Sequence, residues 1–85
     1  MANNQGYVDV ELDFPVDMNG VEIKSLRLRM PRVRDMIIAS KSAKSDEEKE
    51  VELFSHLTEN SPDLIESLTL VDYKKLQEAY SNFLS

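Results

Sequence analysis

The first part of the chain alternates between apolar and polar positions. Apolar residues occupy every even position from 8 to 18. Four of the odd positions are acidic: Asp9, Glu11, Asp13 and Asp17. Successive side chains of a β-strand point to opposite faces, so this period of two predicts a strand with one buried face. Pro15 has no N–H to donate, which predicts that the strand lies at a sheet edge there.

A hairpin turn is predicted directly after this strand, at Asn19 and Gly20. A type I′ turn needs a positive φ angle at both central residues, and asparagine and glycine tolerate that conformation best. The turn predicts two cross-strand pairs: Met18 with Val21, and Val16 with Ile23.

The same register, continued further, would place the apolar Leu26 opposite Asp13 on the polar face. One extra residue in the second strand, near Lys24 and Ser25, restores the apolar pairing, so we predict a β-bulge there. The bulge predicts four more pairs: Leu12 with Leu28, Val10 with Met30, Asp13 with Arg27, and Glu11 with Arg29. The two acid–base pairs would specify register more than stability, because each exposed pair contributes only about 0.2–1 kcal/mol.

Basic residues are concentrated in one segment. Residues 24–34 hold five of the ten lysines and arginines and no acidic residue. The predicted hairpin supplies partners for Arg27 and Arg29. Arg32 and Arg34, beyond Pro31, have no such partner, and we therefore predict that these two bind a partner molecule.

Helical spacing of apolar residues begins after Pro31, which suits the first turn of a helix. This spacing predicts a short helix over about residues 31–42. Ser45 with Glu48 three positions later forms a capping box, which predicts a second helix over about 46–59. Its expected buried residues are Val51, Phe54 and Leu57, with Leu53 on the flank.

Two more helices follow. Ser61 as N-cap and Pro62 at the first position predict a short helix over about 62–68. Thr69 and Asp72 repeat the capping-box spacing and open a last helix over about 70–84. The fold class is therefore α+β, an N-terminal β-hairpin (about 7–30) followed by about four short helices. Residues 7–85 are expected to form one domain behind a flexible N-terminus, residues 1–6.

The last helix carries an apolar stripe at helical spacing: Tyr73, Leu76, Tyr80, Phe83 and Leu84. Such a stripe is typical of a face that packs in the core. Its final residues lie close to the chain end, where little remains to cover them, and an exposed apolar patch usually marks an interaction site. We therefore add four residues to the predicted partner-binding set: Leu76, Tyr80, Phe83 and Leu84.

Composition narrows the class of protein. The 85 residues carry a net charge of −6 and no cysteine, which excludes disulfides and thiolate metal sites. The net charge disfavours nucleic acid, and no nucleic-acid motif accompanies the basic segment. No apolar run approaches the roughly 18 residues of a membrane span, and the first residues lack the features of a signal peptide. We expect a soluble cytosolic protein that binds neither nucleic acid nor membrane.

Catalysis and cofactor binding are not expected. His56 is the only histidine and has no carboxylate pair at metal-ligand spacing, and the acidic run 46–52 lacks the alternating ligands and the glycine of a calcium loop. No phosphate-binding glycine loop or nucleophile–base pair is present. Ser67 resembles the attachment serine of acyl carrier proteins, but the N-terminal hairpin is foreign to that all-helical fold.

Several segments in order resemble a known family: Leu28–Asp35 after the Asn-Gly turn, Leu57-Thr58, Pro62–Leu64, and Leu70–Gln77. Together they resemble the phage tail assembly chaperones of Mu-like and related contractile-tailed phages and prophages. The similarity spans about residues 8 to 84.

The resemblance implies a non-enzymatic assembly factor without cofactors. Its partner would be the phage tape measure protein, which it would keep soluble for tail-tube assembly in the host bacterial cytoplasm. Such a protein is not expected in the mature virion. A longer form made by translational frameshifting is typical of the family, and an exposed hairpin edge would allow self-association. The alternative is a structural or adaptor protein retained in the tail.

Overall fold

An antiparallel hairpin and the helices that follow it make up the part of the chain that the structure describes. This computed structural model describes residues 6–42 and 44–85. Its elements, in order, are β1 (Tyr7–Met18), β2 (Val21–Arg29), α1 (Val33–Ser42), α2 (Asp46–Thr58), α3 (Pro62–Ser67) and α4 (Leu70–Leu84). The α+β fold of a hairpin followed by helices is confirmed. The predicted flexible N-terminus lies, except for Gly6, outside the described residues.

The turn between β1 and β2 has the predicted conformation. Asn19 has a φ of 56° and Gly20 a φ of 82°, so both central residues adopt the positive values that a type I′ turn requires. Beside the turn, the two predicted pairs are also confirmed: Met18 lies opposite Val21, and Val16 opposite Ile23.

The predicted bulge in β2 is wrong, because the extra residues lie in β1. Between the pairs Glu11–Ser25 and Val16–Ile23, β1 has four residues, 12–15, and β2 has only Lys24. The predicted pairs beyond the irregularity are therefore wrong as well. The observed ones are Asp9 with Arg27, Val8 with Leu28, Val10 with Leu26, and Tyr7 with Arg29.

The physical reason for the break in β1 is the carboxylate of Asp72 in α4. It accepts the backbone N–H of Asp13 at 2.8 Å and that of Phe14 at 2.9 Å, and the next residue, Pro15, has no N–H. Neither N–H group has a partner in the strand ladder, and here a side chain 58 or 59 residues later supplies the acceptor. The pairing pattern of the two strands does not predict the position of this irregularity, because the position depends on a residue of α4.

Asp72 lies in the first turn of α4, which Thr69 caps as predicted, and is completely buried. Its own N–H donates to the hydroxyl of Thr69 at 3.2 Å. Lys75, one turn later, places its ammonium group 3.6 Å from Asp72 and 2.9 Å from Asp13. Burial raises the pKa of Asp72, but the two backbone N–H groups and Lys75 outweigh burial and hold it below the ordinary 3.8.

The remaining predicted caps are present too. Ser45 accepts the N–H of Glu48 at 3.1 Å, and Ser61 accepts that of Leu64 at 3.3 Å. Pro31, by contrast, precedes α1 rather than occupying its first turn. The backbone N–H of Arg32 donates to the carboxylate of Asp35 at 2.9 Å, which is half of a capping box.

The core lies between the hairpin and the helices, around the fully buried ring of Phe54. Tyr73 and Tyr80 of α4 approach this ring edge to face, with centroids 5.5 and 5.8 Å away. Such pairs add about 0.5–1.5 kcal/mol each beyond their buried area. The buried apolar residues are Val10, Leu12, Val16, Leu26, Leu28, Ala39, Leu53, Phe54, Leu57, Leu64, Ile65, Leu68 and Leu76. Of the α2 residues predicted to be buried, Phe54 and Leu57 are, and Val51 is half-buried.

Asp72→Asn should lower the free energy of unfolding by about 1.5–3 kcal/mol, because charged hydrogen bonds to Asp13 and Phe14 are lost and an amide group cannot accept both N–H groups equally well. Urea unfolding at neutral pH measures the change. Asp17→Asn removes the same charge from an exposed position of β1 and should shift the value by less than about 0.5 kcal/mol. Equal losses in the two variants would contradict the role assigned to Asp72.

Candidate partner-binding surface

Helix α1 turns its most apolar side chains away from the core. Its buried positions are Asp35 and Ala39, one helical turn apart. The opposite side therefore faces outward, where Val33, Met36 and Ile37 expose 69%, 56% and 50% of their surfaces. We call these three residues the α1 face. Single exposed apolar residues are common, but a contiguous group on one helix is typical of an interaction site.

An ion pair with the end of β2 determines this orientation. Arg29 donates to both carboxylate oxygens of Asp35 from its two terminal guanidinium nitrogens, Nη2 at 2.7 Å and Nη1 at 3.0 Å. Asp35 is buried and accepts the N–H of Arg32 as well. Because bidentate pairs require a defined geometry, the carboxylate fixes the rotation of α1 about its axis. The hydrogen bonds from Arg29 hold the pKa of Asp35 below its ordinary 3.8, against the effect of burial.

Some basic residues of the segment 24–34 form ion pairs that stabilise the fold, and others form none within the described residues. The predicted partner of Arg27 was Asp13, but the structure pairs it with Asp9 at 2.9 Å, and its guanidinium lies 4.1 Å from the centre of the Tyr7 ring. The predicted partner of Arg29 was Glu11, and the structure pairs it with Asp35 instead. Both corrections follow from the register of β1.

Arg32 and Arg34 lie next to the α1 face. With Arg29 and Asp35 they line an open recess of about 470 Å³. Within the described ranges neither Arg32 nor Arg34 makes an ion pair. The structure thus brings two predicted site residues together, with their charges available at the surface.

The four predicted site residues of α4 do not line this recess. Leu76 is completely buried and has no surface to offer a partner in this conformation. Tyr80 and Phe83 are partly buried and pack against the core. Leu84 is 64% exposed, and it is the member of the set most accessible to a partner. A role in binding stays a prediction for this end of α4.

Sequence reasoning missed the α1 face, although its residues supplied the helical spacing. The apolar spacing predicts a helix, but nothing in the pattern shows which side of that helix packs inward. The available clue was Asp35 with Ala39, a polar and a small residue one turn apart, together with an arginine at the end of the preceding strand.

Apart from the recess beside α1, an apolar groove lies between α2, α3 and α4. Val51, Ile65 and Tyr73 contribute to its walls, and its volume is about 300 Å³. Glu47 and Glu66 also line it, so its charge is opposite to that of the recess beside α1.

The described residues contain no group of three or more histidine, cysteine, aspartate or glutamate side chains that could hold a metal ion. Ser67, considered above as an attachment site, is exposed and donates to the carbonyl of Asp63 at 2.8 Å. Among the helices described here, none is long and apolar enough to cross a membrane.

Comparison with known proteins identifies one family. The family model for phage tail assembly chaperone proteins, E, or 41 or 14, matches residues 9–85. Searches of curated proteins and of solved structures found no match. The matched range includes both strands from Asp9 onward, all of α1 and the recess beside it.

The Arg29–Asp35 pair predicts a pH-dependent stability. Because folding lowers the pKa of Asp35, its contribution is fully present above the unfolded value near 3.8 and is lost as the pH falls through the lower folded value. Asp35→Asn should therefore reduce the free energy of unfolding by about 1–3 kcal/mol near pH 6, and the difference from the parent protein should shrink in acid. Urea unfolding across this range measures it; a difference independent of pH would contradict the assignment.

Proposed function

The chain belongs to the phage tail assembly chaperone family, and we propose that it binds the tape measure protein and keeps that client soluble until the tail tube assembles. The family indicates a protein partner in tail assembly and a non-enzymatic role. The identity of the client, the surface that binds it and the solubilising mechanism are the proposal.

The observation that carries the proposal is the α1 face beside a basic recess. A protein that holds a long helical client needs accessible apolar side chains, and an amphipathic helix can lay its apolar side on another helix. Val33, Met36 and Ile37 offer such side chains on one surface. The ion pair between Arg29 and Asp35 holds that surface in place without using its apolar residues.

The mechanism is stoichiometric masking of the client's apolar surface. The α1 face covers apolar side chains of the client, while the charge of −6 on each bound copy keeps the complex soluble by mutual repulsion. Leu84, with Tyr80 and Phe83 behind it, is a second proposed contact. Masking requires no chemical step, so no catalytic group takes part.

The proposed place of action is the cytoplasm of the host bacterium, before the tail is complete. A chaperone leaves when its client is incorporated, whereas an adaptor stays. The family's role in assembly favours the first behaviour.

Val33→Asp with Ile37→Asp should abolish co-purification with the tape measure protein and leave a co-expressed client insoluble, because two charges replace the centre of the α1 face. Both positions are exposed, so the circular dichroism spectrum and the unfolding midpoint should change little. Leu70→Asp with Val71→Asp is the matched control, since it adds the same two charges at side chains that are 78% and 51% exposed at the start of α4. Leu84→Asp tests the end of α4 in the same assay. Unchanged co-purification in a folded double variant would refute binding through α1.

Mass spectrometry of purified virions should find tail proteins but no peptides of this chain, and a lysate of infected cells should contain it. Detection at a fixed ratio to the tube protein in the virion would instead support the alternative, a structural or adaptor protein retained in the tail.

A further inference from the structure

We infer that the α1 face selects a particular client chemistry: an amphipathic helix whose apolar stripe is bordered by carboxylates. The name of the client rests on the proposed function, whereas the chemistry of the segment rests on the charges around α1. The groove between α2, α3 and α4 does not share these features, because glutamates line it.

Helical geometry places cations along one border of the apolar stripe. Successive residues of a helix are rotated by about 100° and rise by about 1.5 Å. Val33 and Ile37 lie one turn apart at the centre of the outward side, and Arg34 and Lys41 both fall on the same border, about 10.5 Å apart along the axis. Arg32 precedes the helix and is rotated by about 200° from Arg34, so it does not continue this border; it adds a cation at the recess that it lines with Arg34. A partner helix lying along α1 would meet these charges with carboxylates two turns apart.

The side chains of these cations form no ion pair within the described residues. Arg32, Arg34 and Lys41 make no ion pair with any described residue, whereas Arg29 and Lys75 are each held by aspartates. The charge of Arg29 is largely neutralised by the buried Asp35. The positive potential of the recess therefore comes from two side chains that are free to bind a partner.

The negative charge of the rest of the molecule affects where an acidic segment can bind. A protein of charge −6 repels an acidic segment over much of its surface, so the cations at the α1 border favour the approach of such a segment there. Charge complementarity of this kind fixes orientation and rejects partners of the wrong sign. An exposed ion pair changes affinity only a few-fold, so three together should discriminate by about tenfold.

Phosphates would also complement the arginines, but the apolar residues between them favour a protein partner. A nucleic-acid surface needs a continuous basic track or aromatic stacking platforms. The α1 face instead places Val33 and Ile37 at its centre, and apolar side chains there match an apolar stripe and not a sugar–phosphate backbone.

The test uses the full chain and synthetic helical peptides of equal length that share one leucine stripe and differ in its border, which is glutamate, lysine or glutamine. Fluorescence anisotropy should show the glutamate peptide binding about tenfold tighter than the lysine peptide, and high salt should remove the difference. Arg32→Glu with Arg34→Glu should reverse the preference. Lys24→Glu with Lys74→Glu, the same charge change at exposed positions elsewhere, should retain it.

Several outcomes would overturn the inference. These are equal binding of the glutamate and lysine peptides, an unchanged preference in the folded Arg32→Glu, Arg34→Glu variant, and displacement of the glutamate peptide by a single-stranded DNA oligonucleotide of comparable affinity. Self-association by sedimentation that disappears in the same variant would make a second copy the occupant, and would also overturn it.

The outcomes separate this inference from the proposed function. If the tape measure protein co-purifies equally with the parent chain and with the Arg32→Glu, Arg34→Glu variant, the chaperone function stands and the charge selection is wrong. If the peptides show the expected preference but the tape measure protein does not bind the parent chain, the selection stands and the client is a different protein.

Discussion

The buried carboxylate of Asp72 is the interaction on which the arrangement of the hairpin and the helices depends. It lies in the first turn of α4, accepts two N–H groups from the irregular part of β1 and lies beside Lys75. Burying an unpaired carboxylate would be costly, but this one is surrounded by donors that favour its charged form. The last helix is thus attached to the first strand by a group that belongs to neither a sheet ladder nor an apolar contact.

A second carboxylate performs a similar task for α1. Asp35 occupies the inward side of that helix, where an apolar residue would be expected, and it is satisfied there by Arg29 and the backbone of Arg32. The consequence is that the apolar residues of α1 are directed outward. A local departure from the usual rule of apolar inside and polar outside is often found at functional sites, and here it produces the surface that we propose binds the client.

The distribution of basic residues now has a structural account. Arg27 and Lys75 pair with acidic groups that hold the hairpin and α4, and Arg29 orients α1. The side chains of Arg32 and Arg34 make no ion pair with any described residue, and they lie beside exposed apolar side chains. The chain belongs to a family of assembly chaperones, and we propose that this apolar surface with a charged border binds a client and prefers one kind of segment.

The amino-acid sequence by itself determined the elements, because turns, caps and periodicity are local properties: Asn19-Gly20, Ser45, Ser61 and Thr69 each act where predicted. The tertiary structure alone decided the register of β1, the burial of Leu76 and the outward direction of α1. Each depends on a partner distant in the chain or on the side of a helix that meets the core. Spacing along the chain shows that α1 is a helix; only the carboxylate of Asp35, held by Arg29, decides which way it faces.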